Sequence, residues 1–328
     1  MMLIAVNYHY IRPSFDSPYP GIHGITPAQL EGQLQLLGSI GVFVSAAQIR
    51  AAVRDRDELP DRSMIITFDD GLREHYEFVW PILRRLGIPG IFFVNTAPIL
   101  HSAISSVHKI HLLRAGVAPA EFLRMLHRHA RLQGLDLSLQ VDERKLTFYY
   151  RYDTPDVARL KYLLNFLLAP GDRDQLIEAC FHDVFPGQEA KMSRDFYLDL
   201  DALATLAAEG CLGTHGHEHL PLGLLSTEAA WEDLRSSVGC LERWAGSPPF
   251  ALSYPYGSRE ACSPEVGEMA RRTGIELAFT MERAGNSDLT KPLFLARFDN
   301  NDVPGGKASP WTVDNFFESI PLADWYRE

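Results

Sequence analysis

Seven short apolar runs punctuate this chain, and amphipathic helical patterns fill most of the gaps between them. The runs are Leu3 to Tyr8, Met64 to Phe68, Gly90 to Val94, Cys211 to Thr214, Phe250 to Tyr254, Leu277 to Thr280 and Leu293 to Phe298. Each is compact, rich in β-branched and aromatic residues and continuous rather than alternating, the pattern of a parallel strand covered on both faces. Helix starts stand between them. Thr26-Pro27-Ala28-Gln29 reads as a capping box with proline at the first helical position, and Leu30, Leu34 and Leu37 mark the buried face that follows. Arg73 to Leu86, closing at Gly87, and Thr227 to Trp244 read likewise. Repeated strand-then-helix units require a parallel sheet, and about seven strands favour a barrel over an open sheet. The expected fold is α/β, a distorted (β/α)7-type barrel, built as a single domain over residues 1–328.

One stretch departs from the rhythm. From 101 to about 198 the patterns are mostly helical, with Val157, Leu160, Leu163, Leu164, Leu167 and Leu168 at helical spacing. So long an interruption cannot be a structureless loop in a compact domain, which predicts a helical insertion or cap. The formal net charge of −11, with both signs interspersed, disfavours nucleic acid as a partner. Cys180, Cys211, Cys240 and Cys262 lie far apart, which suits neither a disulfide framework nor a thiolate zinc site. The N-terminal MMLIAVNYHYIRP has no basic n-region and too short an apolar run for a signal peptide. No uncharged apolar stretch reaches the ~18 residues of a membrane span. A cytoplasmic protein without a transmembrane segment is therefore expected.

Two motifs carry chemistry. Thr67-Phe68-Asp69-Asp70-Gly71 ends an apolar strand, so its adjacent carboxylates fall at the carboxyl end of a parallel strand, where barrel active sites form. Neighbouring residues on an extended chain point in different directions. One carboxylate can bind a metal while the other stays free as a base, and Gly71 lets the chain turn away. Without the strand, the pair would read as an ordinary solvated turn. The second motif is Gly213-Thr214-His215-Gly216-His217-Glu218-His219-Leu220-Pro221. Three histidines in five positions make poor core filler, since each buried imidazole needs polar partners, and imidazole is the commonest metal ligand. The glycines and Pro221 argue against a helix, so this is not a helical zinc-protease motif.

Together the motifs resemble the polysaccharide deacetylase (NodB-like) family of carbohydrate esterases, whose T-F-D-D and H-[S/T]-x-x-H are matched by Thr67 to Asp70 and by His215 to His219. The resemblance implies that Asp70, His215 and His219 hold one divalent metal, zinc foremost with cobalt, nickel or manganese as alternatives, and that Asp69 is the general base. His217 would not be a ligand. Gly216 stands where the family has a hydroxyl residue that braces the loop. The segment Ser253-Tyr254-Pro255-Tyr256-Gly257 is similar to the family's R-x-P-[F/Y]-G wall, which would put Tyr254, Pro255 and Gly257 beside substrate and the Tyr256 N–H on the oxyanion. The family's arginine is Ser253 here, and Arg297 is the expected substitute charge near Asp69. No histidine follows His219 to act as general acid. Asn7-Tyr8-His9-Tyr10 resembles the first strand of a permuted subset, which makes His9 the acid, with Asp299 a candidate to orient it. The implied reaction removes an acetyl or formyl group from an N-acylated amino sugar. With cytoplasmic placement, the substrate would be a nucleotide- or lipid-linked precursor for lipopolysaccharide or capsule. An amidase acting on a non-sugar amide, and an inactive relative that binds glycans, remain open.

Overall fold

The computed structural model describes residues 1–16, 24–55, 57–137 and 154–326. The chain divides into two compact units, Met1–Pro13 with Gly24–Ala103 and Ser193–Glu328, and Ser14–His23 with Ile104–Met192. The first is an α/β barrel. Its strands are β1 (Met2–Tyr8), β2 (Val42–Phe43), β3 (Arg62–Phe68), β4 (Gly90–Val94), β5 (Leu212–Thr214), β6 (Ala251–Ser253), β7 (Leu277–Phe279) and β8 (Arg297–Asp299). All pairings between them are parallel, in the order β7-β6-β5-β4-β3-β1-β8, with the two-residue β2 on the side of β3. The seam between β7 and β8 is bridged only at Phe279 and Leu295, so the seven-membered path nearly closes. The distorted (β/α)7 barrel expected from the sequence is the fold observed.

Each buried strand serves two cores by the alternation of its side chains. Leu3, Ala5, Ile65, Ile91, Phe93, Ala251, Leu277, Phe279 and Leu295 form one cluster drawn from strands all round the sheet, which is the barrel interior. The intervening residues, among them Ile4, Val6, Ile66, Phe92 and Val94, pack outward on Leu30, Leu34, Leu37, Leu203 and Leu241 of the surrounding helices. Thr26 does cap the helix Pro27–Gly38: its hydroxyl accepts from Gln29 N, and the Gln29 side chain accepts from Thr26 N.

Three local expectations shift. The last strand forms at Arg297–Asp299, not from Leu293, because Pro292 cannot donate to a ladder and Phe294 N turns back to Lys291 O. The run Arg73 to Leu86 opens with a π-turn, His75–Val79, before the α-helix Trp80–Leu86. Pro81 explains this, since it has no N–H to give Glu77 and its ring would clash with that carbonyl. The short strand Val42–Phe43 carried no sequence signal, and only its pairing with Ser63 and Met64 defines it.

The second unit is helical among its described residues, with helices Ser106–Gly116, Pro119–Leu132, Pro155–Tyr162 and Pro170–Val184. Leu160, Leu163 and Leu164 are buried there. Residues 138–153 of the expected insertion lie outside the described residues. Among the described residues no helix is long and apolar enough to cross a membrane.

Candidate metal centre

The inward stripe of the barrel turns from apolar to polar at one level. Two residues beyond the interior Ala5 comes Asn7, and beyond Ile65 come Thr67 and then Asp69. Beyond Ala251 comes Ser253, and beyond Leu295 comes Arg297. Gly213, whose added Cβ would strike the Phe93 ring at 2.5 Å, is followed at the same spacing by His215. Parallel strands present their carboxyl ends together, so alternation alone assembles these side chains on the floor of one site.

Asp69 sits at its centre, 2% exposed. Arg297, fully buried, holds it with two parallel bonds, Nη1 to Oδ1 at 2.9 Å and Nη2 to Oδ2 at 2.8 Å. Oδ2 also accepts from Asn7 Nδ2 at 3.0 Å and Ser253 Oγ at 3.1 Å. Arg297 donates further to Ser253 Oγ at 2.8 Å, Thr67 Oγ1 at 3.2 Å and Thr280 O at 3.3 Å. Burial pushes the Asp69 carboxyl up, but Arg297 and then His215 outweigh it and hold the group at about 2. The arginine absent from position 253 thus has a counterpart from β8, and Ser253 fills the gap by linking the Asp69 carboxylate and the guanidinium.

Asp70 and Gly71 both lie in the left-handed region, at φ 79° and 62°. Only glycine adopts this without cost, and here a Cβ on Gly71 would also meet Val94 Cγ1 at 2.9 Å. The double turn separates Asp70 from Asp69 and delivers it to two imidazoles. His215 Nδ1 lies 2.7 Å from Ser253 O. A carbonyl only accepts, so Nδ1 carries the proton and Nε2 offers a lone pair, 3.5 Å from Asp70 Oδ1. Burial pulls the His215 pKa down, against the pull of Asp69, to about 4, so the ring is neutral at neutral pH. His219, at φ 58°, places Nε2 at 3.4 Å from the same Oδ1, and its Nδ1 is buried with no hydrogen-bond partner among the described residues.

These residues suit a divalent cation. One ligand atom from each of Asp70, His215 and His219 lies within 4.8 Å of the others. The 3.4 and 3.5 Å separations exceed hydrogen bonds and are near the ~3.3 Å edge of a tetrahedron with bonds of about 2.0–2.1 Å. The Ser253 carbonyl orients His215 from behind, as outer partners of ligating histidines do.

The loop between the two histidines is braced from an unexpected side. Asp233, buried on the helix Thr227–Ala245, accepts from His217 N at 2.7 Å and Glu218 N at 2.9 Å. Ser237 Oγ donates to Gly216 O at 2.9 Å, and Gly216 N donates to Thr214 Oγ1 at 3.2 Å. Gly216 has φ 76°, and a Cβ there would lie 2.9 Å from Asp233 Oδ1. Glycine at 216 is thus what lets the Asp233 carboxylate close on the loop.

The other expected site residues are placed as follows. Tyr256, 49% exposed and at φ 63°, packs edge-on against His219 at 5.1 Å. Pro255 lies against Gly216, and Gly257 O accepts from Met281 N at 2.8 Å. Tyr254 differs from expectation. It shares the outward parity of Leu252, is fully buried, and donates to Leu293 O at 3.0 Å, so it backs the wall from the helix side. His9 follows β1 at the level of Asp69, half-buried, and its imidazole adds to the pull that lowers the Asp69 carboxyl. His75 Nε2 donates to His9 O at 2.7 Å, the carbonyl being able only to accept. Asp299, expected to orient His9, instead accepts from Asn301 N and Nδ2, and among the described residues it makes no hydrogen bond to His9.

Sequence reading missed Asn7, Asp233, His75 and Asn95. Asn95 continues the inward stripe of Phe93 and is fully buried, with both side-chain polar atoms lacking a hydrogen-bond partner among the described residues. Counting by two along each strand would have found Asn7 and Asn95. Nothing local signals Asp233 or His75.

Comparison with known proteins agrees with this geometry. The polysaccharide deacetylase family profile matches residues 56–129 and 187–278, more than half of the chain, and the protein belongs to that family. The poly-beta-1,6-N-acetyl-D-glucosamine N-deacetylase of Escherichia coli K12 is 43% identical over 49 residues, which are 15% of this chain and only 7% of that protein. The Streptococcus pyogenes deacetylase PplD, solved with acetate, superposes at TM-score 0.57 with 13% identity over 98% of both chains. IcaB from Ammonifex degensii superposes at 0.52 with 18% identity over 90% of this chain and 91% of its own. At such identities the likeness is one of fold.

Proposed function

We propose that the protein hydrolyses the N-acyl group of an amino sugar, and the observation that carries this is the buried Asp70, His215 and His219 cluster set beside the Arg297-clamped Asp69. Asp70, His215 and His219 hold the metal, zinc being the first choice for two imidazoles and a carboxylate. Bound there, a divalent cation supplies Lewis acidity to an acyl oxygen and acidity to a water. Asp69, ionised throughout the neutral range, accepts the proton of the attacking water. Its Oδ1 carries one donor where Oδ2 carries three, so Oδ1 has the capacity to receive it. The Tyr256 N–H stabilises the oxyanion as water adds to the acyl carbon. His9, its backbone held by His75, protonates the sugar nitrogen as the C–N bond breaks, leaving a free amine and acetate or formate.

The substrate is an N-acylated amino sugar, proposed as a nucleotide- or lipid-linked precursor of lipopolysaccharide or capsule. The local likeness to a poly-beta-1,6-N-acetyl-D-glucosamine N-deacetylase supports a second arm, the β-1,6-linked polymer itself. Acetate and formate release from nucleotide-linked N-acyl sugars, poly-N-acetylglucosamine oligomers and chitin oligomers tests both. Release from the nucleotide-linked sugars supports the precursor reading, and release from polymers alone rejects it. A metal-loaded protein inert on the whole panel would reject deacylation itself.

A further inference from the structure

His217 is the one histidine of the His215–His219 loop that the first centre leaves unused. We infer that it forms a second divalent-cation site with His101 and Glu218, on the outer side of the same loop. One ligand atom from each of these three residues lies within 4.8 Å of the others. His217 Nε2 is 3.8 Å from Glu218 Oε1, and the His101 and His217 rings meet edge to face at 6.2 Å. These are separations that a shared cation can close with side-chain rotation alone, as His101 and Glu218 are exposed.

Three features prepare the site. His217 Nδ1 is hydrogen-bonded to Thr96 Oγ1 at 2.7 Å, which sets the ring and leaves Nε2 as the coordinating atom. The backbone of His217 and Glu218 is fixed by Asp233. Ala97 N donates to His217 O at 3.0 Å, tying the loop to the start of the helix Ala97–His101. His101 is four residues beyond Ala97, on the same helical face, which brings its imidazole back over His217. Two imidazoles and a carboxylate favour Zn2+, Ni2+ or Co2+ over Ca2+ or Mg2+, and the exposure of the cluster leaves its other coordination positions to water. A cation here staples the loop that carries His215 and His219 to the neighbouring helix. The second site therefore supports the first without sharing a ligand with it.

The test is a Zn2+ titration of the chelator-stripped protein by calorimetry, with melting followed in parallel. Wild type is expected to bind in two classes, one equivalent each, with a rise in Tm accompanying the weaker class as linkage requires. His101→Ala and Glu218→Gln, both at exposed positions, should keep the tight equivalent and lose the weaker one with its Tm rise. A single class in wild type, or retention of the weaker class in either variant, overturns the proposal. Since the readout is a metal count, the result is independent of whether the protein deacylates any sugar.

Discussion

The two halves of the centre are built on opposite terms. Around Asp69 every donor has an acceptor: Arg297, Asn7 and Ser253 converge on one carboxylate, and the charges cancel within the protein. Around Asp70 the backbone is in left-handed turns at Asp70 and His219, and two imidazole nitrogens face one carboxylate oxygen at more than hydrogen-bond distance. The first half is complete as folded. The second is held in a costly backbone shape and is arranged so that a cation could join it. Stability resides in one half and ligand capture in the other, and Ser253 couples them, its hydroxyl on Asp69 and its carbonyl on His215.

The sharpest way to break this contrast is on the capture side. His215→Ala should abolish tight metal binding and reduce acyl release to background, while the fold melts near the wild-type temperature in metal-free buffer. Next comes Asp69→Asn, expected to lower kcat by about 10²–10⁴-fold with metal content unchanged, as for loss of a general base. Equal metal loss in both variants would erase the division of labour.

On the other half, Arg297→Met leaves a buried carboxylate without its counter-charge and should destabilise by about 3–5 kcal/mol in chemical denaturation. The Asp69 carboxyl should then rise from about 2, because burial is no longer opposed. A fully stable Arg297→Met protein would refute the role given to the clamp.

Acid sensitivity sharpens the comparison further. Burial lowers the His75 pKa from 6.5 to about 4, so the unfolded chain binds the proton more readily than the native state. The resulting stability is present above pH 6.5 and lost as pH falls towards 4, a difference on the order of 3 kcal/mol. Asp69, depressed to about 2 from 3.8, adds a loss of the same sign only below pH 4. Burial lowers His215 to about 4 as well, so it adds a loss of stability over the same range. His75→Leu should therefore remove about half of the upper limb of a stability–pH profile while leaving the lower limb in place. Loss of both limbs would mean that the two groups are not separate.

The strands were legible because a parallel strand in a covered barrel must be apolar on both faces, and Gly90 to Val94 matches β4 residue for residue. The candidate metal cluster was legible because Asp69-Asp70 and the three-histidine loop are dense, local signals. Tyr254 was misjudged because sequence adjacency to Tyr256 says nothing of parity, and β6 turns it outward onto the helices. Gly216 read as a lost brace, since only the folded chain brings Asp233 from the helix Thr227–Ala245 to the loop.

By itself, then, the sequence determined the barrel, most of its strands and the residue types of the candidate metal cluster, all of which follow from short-range periodicity and composition. Tertiary structure alone decided that Arg297, 228 residues from Asp69, clamps that carboxylate, and that Asp299 turns to Asn301 and away from His9. It also decided that His101 meets His217. Such pairings depend on the register and facing of separate strands and loops, which no local pattern encodes.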